Sequence, residues 1–177
     1  MKNSTRELVL AAVLTALSIV ITYSPVKLNL GFFTLTLGAH VPTMLAMFIS
    51  PHVAVMTVIG SCIGFFTAIP APNNLLVVIR AALHLIFVFV GMKMLSKNMN
   101  IFLVIVVTSL LHSIAEGVAV YLLTPVIIEN STTAALAAGE IALGGTFVHH
   151  YIDSAITAPI LLALSRAGLV KKPYFVK

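Results

Sequence analysis

The chain has 177 residues, 60% of them hydrophobic and 8% charged, with a net charge of +5 and a mean hydropathy of +1.12. Soluble domains carry about 25% charged residues, so this composition excludes a water-soluble globular protein. The length fits one domain, residues 1–177, without a separate catalytic module.

Met1 to Tyr23 has a basic flank, Lys2 and Arg6, followed by an apolar run over 8–23. No small-residue cleavage site follows and apolar segments continue down the chain, so a first membrane span is expected rather than a signal peptide. The run carries Ala12-x-x-x-Ala16, and small residues four apart let helices approach closely in lipid. This alanine face suits either internal packing or another subunit.

Residues 24–39 form a long first loop. Val26-Lys27-Leu28-Asn29-Leu30 and Phe33-Thr34-Leu35-Thr36-Leu37 alternate apolar and polar on either side of Gly31. Period two predicts short extended arms. They would form either a flap whose Phe32 and Phe33 cover a ligand, or a loop resting on the membrane surface.

Further spans are expected at 38–50, 51–66, 75–95, 101–123 and 143–168. The second has 13 residues, short of the ~20 that a spanning helix needs, so it is a partial span or it borrows residues 34–37. Ser50-Pro51 places a cap and a first-turn proline at the start of the third. Gly60-Ser61-Cys62-Ile63-Gly64 in that segment reads as a packing face. Cys62 has no cysteine partner and no metal-ligand spacing around it. Residues 68–74 form a Pro- and Asn-rich turn, 93–100 a polar turn, and 124–139 a longer connection.

Basic residues set the orientation. With the N-terminus inside and six helices threaded, Lys2, Arg6, Lys93, Lys97, Arg166, Lys171, Lys172 and Lys177 fall on the cytoplasmic side. Lys27 falls outside and Arg80 lies within a span. The expected fold is an all-α integral membrane protein, a six-transmembrane-helix bundle with both termini cytoplasmic and a long extracellular first loop. The positive charge is therefore a topology signal, and nucleic-acid binding loses its support.

Three i, i+4 pairs interrupt the apolar helices: Arg80/His84, His112/Glu116 and His149/Asp153. A charge at bilayer depth costs at least ~2.5–3.5 kcal/mol and marks a functional site by default. At ~1.5 Å per residue, all six lie in the outer half and could line one cavity. Polar groups fixed in an apolar pocket suit a small polar ligand. Arg80 suits a carboxylate, and Glu116 and Asp153 suit ring N–H or hydroxyl donors. The competing reading is that the six pair with one another and hold the bundle, although buried ion pairs stabilise poorly. His149 and His150 point about 100° apart on a helix, so they do not readily share an ion; no metal and no cofactor is expected. No nucleophile stands beside an evident base, so no enzyme is expected. There is no Gly-x-x-x-x-Gly-Lys phosphate loop, so ATP-driven uptake would need a partner.

The whole chain resembles the substrate-binding S components of energy-coupling factor (ECF) vitamin transporters. The resemblance lies in the length, six apolar segments, the long first loop, Ala12-x-x-x-Ala16 and the ionisable positions in the last three segments. Ser24-Pro25-Val26-Lys27, His40-Val41-Pro42, Ala46-Met47-Phe48-Ile49-Ser50-Pro51 and Arg80-Ala81-Ala82-Leu83-His84 also look like niacin-specific members. The resemblance implies high-affinity capture of a water-soluble vitamin at the bacterial cell membrane by a multi-pass protein. Its partners would be a transmembrane coupling subunit (T component) and two ATP-binding-cassette ATPases, docked through Ala12 and Ala16. It assigns ligand binding to Phe32, Phe33, Arg80, His84, Glu116, His149 and Asp153; the helical pairing adds His112. Nickel and cobalt members carry a histidine directly after the initiator methionine, where this chain has Lys2. Arg80/His84 favours a small aromatic acid such as niacin (nicotinate). Glu116 and Asp153 would equally suit pyridoxine or hydroxymethylpyrimidine, with pantothenate a further choice. Outside this family, the readings are a stand-alone proton-coupled transporter and a membrane scaffold.

Overall fold

The computed structural model describes residues 2–29, 34–129 and 132–170. Apolar residues surround each long segment on all sides, as in helices that are buried or bathed in lipid. The elements are α1 (Lys2–Thr22), β1 (Lys27–Asn29), β2 (Thr34–Thr36), α2 (Val41–Ala46), α3 (Pro51–Ala68), α4 (Asn73–Ser96), α5 (Ile101–Thr124) and α6 (Thr132–Arg166). Among the described residues, five helices (all but α2) are long and apolar enough to cross a membrane.

The alternating arms are extended, as expected, and the structure adds that they pair. β1 and β2 pair antiparallel, with Lys27 opposite Thr36, Leu28 opposite Leu35 and Asn29 opposite Thr34. Phe32 and Phe33, between the two strands in sequence, lie outside the described residues.

The second expected span is not a spanning helix. Only six of its residues are helical, ~9 Å at ~1.5 Å per residue. Ser50 precedes Pro51, is driven to extended backbone (φ −163°, ψ 161°), and caps α3 by accepting from Val53 N.

Helices α1 and α3 nevertheless run parallel. In chain order, Ser50 Oγ donates to Glu7 Oε2 at 3.1 Å, Gly60 packs on Thr15 and Gly64 on Ile19 and Thr22, and Tyr23 Oη donates to Thr67 Oγ1 at 2.7 Å. The chain between them must therefore return alongside α1 from the level of Tyr23 to that of Glu7, ~24 Å at ~1.5 Å per residue. It does so through the hairpin, α2 and short turns. Non-helical backbone is tolerated at membrane depth when protein surrounds it, and residues 39–47 are all buried.

The glycines of α3 explain that close approach. A Cβ on Gly60 would stand 2.7 Å from Thr15 O, and one on Gly64 would stand 2.9 Å from Ile19 Cα. Ala12 and Ala16 lie on an exposed side of α1. The expected connection at 124–139 is a correction: it is a turn of π-helix (Pro125–Glu129) followed by the first turns of a 35-residue α6. Its small residues make this possible. Ala135, Ala138 and Ala142 are fully buried, and Gly139 packs on Gly117 and Tyr121 of α5. At the far end of α6, Gly168 O accepts from Arg6 Nη2, so the start of α1 and the end of α6 share one end of the bundle.

Candidate functional site

Helices α4, α5 and α6 alternate in direction, so residues early in α4, late in α5 and midway along α6 meet at one level. Glu116 of α5 is the hub. Its Oε2 accepts from Arg80 Nη2 at 2.6 Å and Nε at 3.1 Å, and from Thr146 Oγ1 at 2.7 Å. Its Oε1 lies 3.2 Å from both His84 Nε2 and His112 Nε2. All of these residues are 5% exposed or less. Charge-assisted bonds of this kind are strong and fix side-chain orientation.

Asp153 of α6 is used differently. It clamps the start of α2: Oδ1 accepts from Gly38 N at 2.8 Å, and Oδ2 accepts from His40 N at 3.0 Å and lies 2.9 Å from His40 Nδ1. Gly38 has φ +78°, which glycine adopts without strain. His149 Nε2 stands 3.0 Å from Asp153 Oδ2 but is not aligned for a hydrogen bond. Asp153 is wholly buried and does not line the cavity described next.

Thr36 and Ala39, the imidazoles of His40, His84 and His149, Phe65, Val77, Arg80, Ala81 and Glu116 surround a narrow cavity of about 20 Å³, room for about one water molecule. The His40 ring lies 4.6 Å, centre to centre, from each of His84, His112 and His149. Behind them, His112 Nδ1 is 3.0 Å from His150 Nδ1, and His150 Nε2 is 3.1 Å from Thr108 Oγ1. Phe87 packs against both rings. His84 Nδ1 is buried without a hydrogen-bond partner. A second cleft of about 60 Å³, lined by residues such as Met44, Met47 and Leu161, includes none of Arg80, His84, Glu116 or His149. The polar cavity is therefore the candidate site.

All three sequence-predicted pairs converge here. Arg80, His84, Glu116 and His149 line the cavity; His112 stands behind Glu116 and Asp153 beneath His40. Sequence reasoning missed His40 and Thr146. His40 belongs to no i, i+4 pair on a long helix; the available signal was a histidine inside a buried apolar stretch. Thr146 lies seven residues before Asp153, on the same face of α6.

No family model matches the chain, and no solved structure matches it. It is 35% identical over 176 residues to the niacin transporter NiaX of Lactococcus lactis subsp. cremoris (strain MG1363). That alignment covers 94% of this chain and 78% of the relative.

Proposed function

We propose that this chain, which belongs to the family of the niacin transporter NiaX, is the niacin-binding S component of an ECF-type importer in the cell membrane. The observation that carries the ligand assignment is the near full-length match to a transporter named for niacin. The lining of the cavity supports it, with side chains that must part to admit the vitamin. Nicotinate presents a flat ring, a ring nitrogen and a carboxylate. Phe65 and the imidazoles of His40, His84 and His149 offer faces and edges to the ring, and Arg80, already paired with Glu116, is the guanidinium at the cavity wall. His84 Nδ1, buried and unpartnered, is a polar atom that a ligand would satisfy.

The topology that goes with this reading is six crossings with both termini cytoplasmic. Its support is the parallel α1 and α3, the shared end of Arg6 and Gly168, and the bias of basic residues to one side. The first five crossings are α1, the hairpin–α2 segment, α3, α4 and α5, and α6 makes the last. The exposed face at Ala12 and Ala16 is the docking surface for the transmembrane coupling subunit, which brings two ATPases. The chain is then a receptor that needs a motor, and not a catalyst.

The test is uptake of labelled nicotinate by vesicles holding the chain with or without the coupling subunit and ATPases. Accumulation that requires both the partners and ATP is expected. Uptake by the chain alone, driven by a pH gradient, would establish the stand-alone transporter instead.

A further inference from the structure

We propose that His40, His84, His112 and Glu116 hold a single divalent transition-metal ion of the zinc type at the inner wall of the cavity. One ligand atom from each of the four lies within 4.8 Å of every other, and all four residues are buried. Zinc bonds of ~2.0–2.1 Å place tetrahedral ligand atoms ~3.4 Å apart. The 3.2 Å separations of Glu116 Oε1 from His84 Nε2 and His112 Nε2 already match that edge. Small rotations of buried rings would bring in His40. Three imidazoles and one carboxylate form a donor set suited to such ions.

One ligand, His40, has the partner that orients metal-bound histidines, a carboxylate on its second ring nitrogen, whereas His84 Nδ1 has none. Asp153 Oδ2 engages His40 Nδ1 at 2.9 Å, leaving Nε2 to ligate. Arg80 and Thr146 hold the other oxygen of Glu116.

A network of protons is the alternative occupant: Thr108 Oγ1 donating to His150 Nε2, His150 Nδ1 to His112 Nδ1 and His112 Nε2 to Glu116 Oε1 satisfies these groups without an ion.

The ion would also correct the charge of the site. With neutral histidines, Arg80, Glu116 and Asp153 sum to −1, which disfavours an anionic vitamin; a divalent ion makes the sum +1. This consequence rests on the niacin reading, but the site does not.

The experiment is elemental analysis of the untagged full-length chain, purified with lipid and dialysed, followed by chelation and titration with Co²⁺. Expected are about one zinc-type ion per chain and, after chelation, one Co²⁺ with the visible absorption of a tetrahedral site. His84→Gln and His112→Gln should weaken Co²⁺ binding more than ~10-fold, whereas exposed His52→Gln should not. Helicity and gel filtration identify a variant that misfolds, and the Co²⁺ spectrum of the native chain then decides alone. A folded chain without metal or Co²⁺ bands, zinc lost on dialysis (an adventitious ion only), or Co²⁺ binding unchanged in both variants overturns the site. Nicotinate binding in the same samples separates the two claims. Binding by metal-free chain, unaffected by chelation, removes the metal alone. A stoichiometric ion without any nicotinate affinity removes the vitamin reading alone.

Discussion

Glu116 and Asp153 are both buried carboxylates, yet their partners give them different roles. Glu116 faces the cavity and neutralises Arg80. Glu116→Gln removes the counter-charge from a buried guanidinium, a loss of ~3–5 kcal/mol, and nicotinate binding should fall with it; thermal unfolding and ligand titration on the same preparation measure both. Asp153 faces away from the cavity and holds Gly38 N and His40 N. Asp153→Asn keeps the shape but turns a donor toward donors, so a loss of ~1–3 kcal/mol is expected, larger in stability than in ligand affinity. The opposite ranking would place Asp153 on the ligand. Six of the site's ionisable residues were legible in the sequence because a charge inside an apolar run has few explanations and i, i+4 spacing gives a shared face. His40 was not, because its placement depends on a long-range contact with Asp153, which spacing along one helix does not encode.

At the scale of elements, α1 has two faces with opposite tolerances. Gly60 and Gly64 admit its backbone on one side. Gly60→Leu should separate α1 from α3 and cost ~1–3 kcal/mol, lowering the unfolding temperature in detergent. Ala12→Leu and Ala16→Leu lie on the exposed side, so they should change stability by less than ~0.5 kcal/mol and leave nicotinate binding intact while blocking ATP-driven uptake. Equal loss of binding and uptake would show that the alanine face packs internally. The long helices and the extended arms were readable from hydropathy and period-two alternation. The shortness of α2 and the early start of α6 were not. The first depends on burial of irregular backbone between helices, and the second on alanines and glycines that are helical here because α5 packs against them.

Across the whole molecule, the parallel α1 and α3 require residues 24–50 to recross the bundle, although no spanning helix does so. The proposed orientation rests on the distribution of basic residues. Lys27→Cys should react with a membrane-impermeant maleimide from outside, and Lys97→Cys only after permeabilisation, in a Cys62→Ala background that removes the native thiol. The same side for both would refute six crossings. The central claim is that the cavity among α4, α5, α6 and the β2–α2 segment receives niacin. Calorimetric titration of the purified, folded chain with nicotinate tests it most directly. Saturable binding of one nicotinate per chain, without any ATPase present, is the expected result; no saturable binding by a chain shown to be folded would contradict it.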